Sequence, residues 1–207
     1  LVCELGMNHP HEIDRLAAAC QPTLAVITNV GTSHIGLLGS RENIARAKAE
    51  VVAGLVDHGE LRRTLTLTSA NDFTPFIADG FARPAGVDVL MAGSRAEDDV
   101  RAADVTLSAE GCATLTASCS DGWSREVTLS VPGRQVVPDF LLALSVIWRL
   151  GLDRDLACEA IERMPATHMR LDVQMAPSGA RVIDDSYNAA PNSMAASLDV
   201  LAQMACS

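Results

Sequence analysis

The chain has 207 residues, which at roughly 150 per domain amounts to one full core and part of a second. Apolar residues make up 48% and charged residues 20%, and the 14 glycines and 9 prolines follow no period, so disordered, collagen-like and low-complexity classes are excluded. Sixteen cations against 26 carboxylates leave a net charge of −10; nucleic acids and anionic membranes are bound through clustered cations, and this chain has no such cluster.

The first third alternates short apolar runs with helical patterns, which predicts parallel β-α units. Leu1, Val2 and Cys3 read as the end of a strand, followed by a Gly/Asn/His/Pro loop and a helix over 12–20. The run Leu24-Ala25-Val26-Ile27 predicts a buried parallel strand. A loop over 31–39 leads to Ser40 as a helix N-cap, with Glu42 in the first turn and the helix ending near Gly54. A strand over 65–68, a turn at Ala70-Asn71-Asp72, a helix over 73–78 and a strand over 87–91 complete the α/β part. Period-two patterning then takes over at Val105, Leu107 and Ala109, at 112–118, and at Val127, Leu129 and Val131. Gly111 and Asp121-Gly122 punctuate these runs, so antiparallel hairpins are expected. Helices over 139–150 and 153–164 follow. Beyond Pro165 a strand pair, 171–175 and 181–183, leads to a helix over 192–204. Two domains are expected, 1–165 and 166–207, the first an α/β domain with a mostly parallel sheet, flanking helices and an antiparallel hairpin region.

Six cysteines (Cys3, Cys20, Cys112, Cys119, Cys158 and Cys206) form no C-x-x-C pair, which argues against zinc-knuckle and disulfide frameworks and suits a reducing cytoplasm. The longest apolar run, 140–148, includes Ser145 and is about half the length of a membrane span. Without an initiator Met, basic n-region or cleavage signal, the first residues read as the interior of a longer protein.

Open parallel sheets bind ligands beyond the carboxyl ends of their strands. Glu4 ends the first strand and His34 lies four residues past Val30, so one rim can hold both. Taken singly, Glu4 reads equally as a structural strand end, and His34 more readily as a hydrogen-bonded loop residue. Lys48 stands out as the sole lysine; the other 15 cations are arginines. At about 100° per residue, Ile44, Lys48, Val51 and Leu55 share one helical face, with Glu42, Arg46 and Glu50 opposite. A snorkelling stem explains one lysine on an apolar face. The alternative is chemistry that arginine does not perform, because an amine sheds its proton or forms a covalent adduct. Desolvation favours that neutral form.

The blocks Glu4-Leu5-Gly6-Met7-Asn8-His9-Pro10 with Glu12-Ile13, Thr28-Asn29 through Ser33-His34, Gly39-Ser40 and Ala47-Lys48-Ala49-Glu50 resemble, in order, the Mur ligases. The run Asp184-Asp185-Ser186-Tyr187-Asn188-Ala189-Ala190-Pro191-Asn192-Ser193-Met194 extends the resemblance. It is most similar to the branch that adds D-alanyl-D-alanine to a UDP-N-acetylmuramoyl tripeptide. The resemblance implies a central ATP-binding domain over 1–165 and the start of a Rossmann-like C-terminal domain over 166–207. It implies an ATP-dependent carbon-nitrogen ligase of peptidoglycan precursor synthesis, cytoplasmic and monomeric, working through an acyl phosphate. Carried over by position, Glu4 would bind the Mg²⁺ of the ATP phosphates, and His34 with a carbamylated Lys48 a second Mg²⁺ near the γ-phosphate, His34 and Lys48 being catalytic. Arg170, Asp185, Asn188 and Asp139 would face ATP.

Gln135, Val136 and Asp139 stand where that family has His, Asn and Asn. Gly36 replaces an acidic residue and Ala190 an Asn. The family's GxxGK[ST] phosphate loop would precede Leu1, so the chain by itself is expected not to turn over ATP. Two other readings stay open. One is a different ligase of the superfamily, folylpolyglutamate synthase-like or adding another amino acid; the other is a non-catalytic module that keeps the fold.

Overall fold

The computed structural model describes residues 1–204; Cys206 lies outside them. Six strands form one sheet in sequence order: β1 (Leu24–Ile27), β2 (Thr64–Thr68), β3 (Asp88–Gly93), β4 (Val100–Leu107), β5 (Cys112–Cys119) and β6 (Ser124–Pro132). Strands β1 to β4 are parallel, and β5 and β6 continue the sheet antiparallel. The expected parallel part and hairpin region are therefore one continuous mixed sheet.

Parallel neighbours need crossovers; helices supply those from β1 to β2 and from β2 to β3, while β3 and β4 are joined by the loop 94–99 and pair only at two positions. Helix α1 (Glu12–Cys20) precedes β1. Helices α2 (Ile35–Leu38) and α3 (Arg41–Ala49), with the 3₁₀ turn Glu50–Gly54, link β1 to β2. Helix α4 (Thr74–Ile77) and the π turn Ala78–Ala82 link β2 to β3. Every residue of β2 is buried, as befits a strand covered on both faces. Ser40 starts α3 as expected, its side chain accepting from the Asn43 N–H at 3.1 Å.

The period-two pattern of β5 buries Ala113, Leu115, Ala117 and Cys119. Their cover is α5 (Val136–Arg149), which buries Phe140, Leu141, Leu142 and Leu144. Ser145 inside that apolar run is satisfied by the Leu141 carbonyl at 2.8 Å. Helix α6 (Arg154–Glu162) is capped by Asp153 and packs on β6. A separate antiparallel pair, β7 (Asp172–Met175) and β8 (Arg181–Asp184), precedes α7 (Pro191–Gln203). Among the described residues no helix is long and apolar enough to cross a membrane.

Three local expectations change. Residues 1–3 form no strand; Leu1 and Val2 are fully exposed, because no described strand lies alongside to complete a ladder. Helix α5 begins at Val136, ahead of Pro138, since a proline in the first turn gives up an N–H that has no partner there anyway. Helix α2 was not expected at all.

Asp98 pins the passage from β3 to β4. Only 3% exposed, its Oδ2 accepts from Ser69 Oγ at 2.6 Å and from the Arg95 N–H at 2.8 Å. Asp98→Ala leaves the buried Ser69 hydroxyl without its acceptor, and the expected loss is about 2–3 kcal/mol. Urea unfolding should show it as a lower midpoint at constant slope.

Candidate active site

His34 lies in the connection from β1 to α3, beyond the carboxyl end of β1. It immediately precedes α2 with a left-handed backbone, φ 65°, and its ring is exposed. The His34 carbonyl accepts from the Leu37 and Leu38 N–H groups, each at 3.0 Å, so the backbone is fixed while the imidazole stays available. Lys48 is the penultimate residue of α3 and is half-buried. Desolvation lowers its pKa from the usual lysine value. Glu4 is exposed in the segment ahead of α1.

Among the described residues, the side chains of Glu4, His34 and Lys48 have no hydrogen-bond or ion-pair partner. No group of three His, Cys, Asp or Glu side chains is assembled for a metal ion there. Mg²⁺ takes oxygen ligands; Glu4 offers a carboxylate, His34 one nitrogen, and an unmodified amine none. A carbamate on Lys48 would add the missing oxygens, and an amine that burial biases toward neutrality is the form that reacts with CO₂.

A network absent from the sequence reading fixes the His34 loop. The Arg41 guanidinium grips both Asp72 oxygens, at 2.8 and 2.6 Å, and also donates to the Val30 carbonyl at 2.8 Å. Its carbon lies 4.8 Å over the Phe73 ring. These bonds hold the Asp72 carboxyl below its usual range. Asn71 Nδ2 donates to Asn29 Oδ1 at 2.5 Å, so the loops after β1 and β2 are stitched together. The sequence held one signal for this: a cation in the first turn of α3 opposes the helix dipole, which suggests a task elsewhere.

Glu50, expected on the solvent face, is turned inward, its side chain 16% exposed. Glu50 opens the 3₁₀ turn that follows α3, and there the N-terminus of α1 covers its carboxylate. Its Oε1 accepts from the His11 N–H at 2.8 Å and its Oε2 from the Asp14 N–H at 3.3 Å.

Around the segment 163–171, which links α6 to β7, the structure gathers another set. Met169 and Leu171 both have left-handed backbones, φ 62° and 48°, flanking Arg170. The Arg170 guanidinium carbon lies 4.1 Å over the Tyr187 ring. Asp185 spends both oxygens internally, Oδ1 accepting from the Leu171 N–H at 3.1 Å and Oδ2 from Ser197 Oγ. Asn188 accepts from the Ala189 N–H at 2.8 Å and is otherwise exposed. Asp139 is exposed on the first turn of α5. Thiol chemistry is not on offer from the interior: burial pushes Cys158 up to about 11.

The model of the Mur ligase middle domain matches residues 1–147. The chain belongs to the Mur ligase family. Among curated relatives, the UDP-N-acetylmuramoyl-tripeptide--D-alanyl-D-alanine ligase of Bacillus subtilis is 31% identical over 96% of this chain. The ligase of the same name from Mycobacterium bovis is 32% identical over 99%. This Mur ligase chain spans about 40% of the length of these relatives. A crystal structure of MurF from Acinetobacter baumannii superposes with a TM-score of 0.85 at 31% identity, over 99% of this chain and 42% of that one. The Mur ligase chain therefore has the expected fold, a mostly parallel six-stranded sheet with helices.

Proposed function

We propose that this chain is the ATP-handling core of a ligase joining D-alanyl-D-alanine to a UDP-N-acetylmuramoyl tripeptide. The supporting observation is its similarity to MurF, 31% identical with a TM-score of 0.85 across 99% of the chain. A more distant neighbour, MurF from Thermotoga maritima, was solved in complex with ADP, and ATP is the nucleotide of this proposal. Residues 1–165 are then the central domain and 166–207 the start of the C-terminal one, in a monomeric cytoplasmic protein of peptidoglycan precursor synthesis.

Two displacements make the amide. A tripeptide carboxylate oxygen bonds to the γ-phosphorus of ATP, the bond to the bridging oxygen breaks, and ADP leaves. The dipeptide amine then attacks the acyl carbon; the carbon-oxygen bond to phosphate breaks, phosphate leaves with the electron pair, and the nitrogen gives up a proton. When bound, Mg²⁺ supplies the positive charge that an acidic chain with 16 cations lacks. Glu4, His34 and Lys48 would hold it. Lys48 contributes as a carbamate: its neutral nitrogen bonds to the carbon of CO₂ and one proton passes to water. Tyr187 supports the Arg170 guanidinium, which would present a cation to the nucleotide. Asp139 accepts from an adenine amino group but has nothing to donate to a ring nitrogen.

The assay is direct. The intact polypeptide carrying this chain, given ATP, Mg²⁺ and UDP-N-acetylmuramoyl tripeptide, should release phosphate only when D-alanyl-D-alanine is added. Release with a single amino acid or a folate instead assigns a different ligase. No release with any acceptor makes the chain a non-catalytic module.

A further inference from the structure

We infer that Glu50 is a positioning residue, its carboxylate fixing the end of the Lys48 helix against α1 and thereby setting how tightly the site holds Mg²⁺. The inference rests on the ligase reading above.

The first N–H groups of a helix need outside acceptors. At α1 the cap position is His11, left-handed at φ 68° and without a side-chain cap of its own. Glu12 folds back onto the Asn8 and His9 N–H groups, at 2.6 and 3.0 Å. Those two groups lie ahead of the helix; within its first turn the His11 and Asp14 N–H groups take their acceptor from Glu50, 39 and 36 residues away in sequence. A serine or aspartate at the cap would have done this locally. Instead the carboxylate is drawn from a residue two positions past Lys48, in a segment that leaves Lys48 half-buried.

A second contact makes the tie stiff. The 3₁₀ turn that begins at Glu50 ends at Gly54, where an added Cβ would lie 2.5 Å from the Ala17 Cβ on α1. The segment after Lys48 thus meets α1 at its N-terminus through Glu50 and at its middle through Gly54. With Glu50 in place, the end of the Lys48 helix is held against α1 at two points; without it, α1 can slide and Lys48 loses its fixed backbone.

The test uses the intact protein. Binding of a non-hydrolysable ATP analogue is followed by calorimetry at stepped Mg²⁺ concentrations, beside steady-state ligation. Glu50→Ala is expected to raise the Mg²⁺ concentration for half-maximal binding about tenfold, the scale on which residues supporting metal ligands act, while kcat at saturating Mg²⁺ stays within about twofold. Glu50→Gln keeps one acceptor but turns an amide N–H toward the Asp14 N–H, so a smaller rise in the same direction is expected. Amide exchange at His11 and Asp14 should quicken in both. Glu42→Gln, whose partner Arg46 is a surface neighbour, should match the parent. Faster exchange or a lower Tm with an unchanged Mg²⁺ requirement would make Glu50 merely structural and overturn the inference. Where Glu50→Ala fails to fold, Glu50→Gln decides by the same two outcomes. A parent that binds the nucleotide with Mg²⁺ yet ligates no dipeptide overturns the ligase reading instead.

Discussion

Lys48→Arg in the intact protein is expected to lose ligation by about a hundredfold or more, because an anionic oxygen ligand is removed and a cation takes its place. The arginine guanidinium stays protonated throughout the working range. It never offers the neutral nitrogen that a carbamate requires, so added bicarbonate should restore nothing. Lys48→Ala should lose as much but regain part of it from short carboxylic acids, whose oxygens can occupy the vacated ligand position. Near-parental turnover of Lys48→Arg would dispose of the carbamate. Stability should move the other way. Desolvation lowers the folded-state pKa of Lys48, so between that value and the ordinary lysine value near 10.5 the unfolded chain holds a proton that the folded chain has released. Stability contributed by this group therefore rises with pH across that window, and below it the penalty of a half-buried ammonium is present in full. Lys48→Met removes the penalty. Its Tm at neutral pH should exceed that of the parent, while activity is lost, which separates a residue kept for chemistry from one kept for folding.

The elements legible in the sequence are those whose causes are local. Helix α1 covers 12–20 as expected because its apolar spacing and flanking loop are contained within it. Ser40 could be named as a cap because the N–H it serves is three residues on. The features that escaped depend on distant partners or are too short to show a period. Glu50 was expected on the solvent face because nothing in its own segment announces the His11 and Asp14 N–H groups, 39 and 36 residues away, that draw its carboxylate inward. Arg41 reaches Asp72, 31 residues away, and only its poor placement against the helix dipole hinted at this. Ile35-Gly36-Leu37-Leu38 is one turn of helix, too short for any period to show. Of the candidate site residues, Lys48 is half-buried on α3, as its place on the apolar stripe predicts. The contacts of Asp185 with the Leu171 N–H and Ser197 Oγ were not legible, because they form across a turn and a helix.

Gly54→Ala is expected to destabilise the fold by about 2–3 kcal/mol, at the upper end of what one added methyl in a packed contact does. By sequence, Gly54 reads as a helix stop, and a stop glycine usually tolerates or welcomes alanine. Replacing glycine where the backbone conformation is ordinary restricts the unfolded chain and stabilises by about 0.4–1 kcal/mol. Gly54 has no positive φ to forbid the change, so propensity alone predicts a gain. Packing predicts the opposite. The new Cβ would stand 2.5 Å from the Ala17 Cβ, 2.6 Å from the Ala17 carbonyl carbon and 2.8 Å from its oxygen. Two of those three atoms are backbone, and Ala17 itself is fully buried, so no side chain can swing aside; α1 must move as a body. At about 2–4 °C per kcal/mol for a chain of this size, Tm should fall by roughly 4–12 °C. Gly80→Ala is the matched control, in the π turn Ala78–Ala82 with nothing within 4 Å of its added Cβ. It should melt at or above the parent. The displacement of α1 also drags the His11 and Asp14 N–H groups away from Glu50, so Gly54→Ala should reproduce, in weaker form, the raised Mg²⁺ requirement of Glu50→Ala. A Gly54→Ala protein as stable as the parent would show that α1 and the turn after Lys48 are not one rigid unit, and the coupling from Glu50 to Lys48 would lose its mechanical basis.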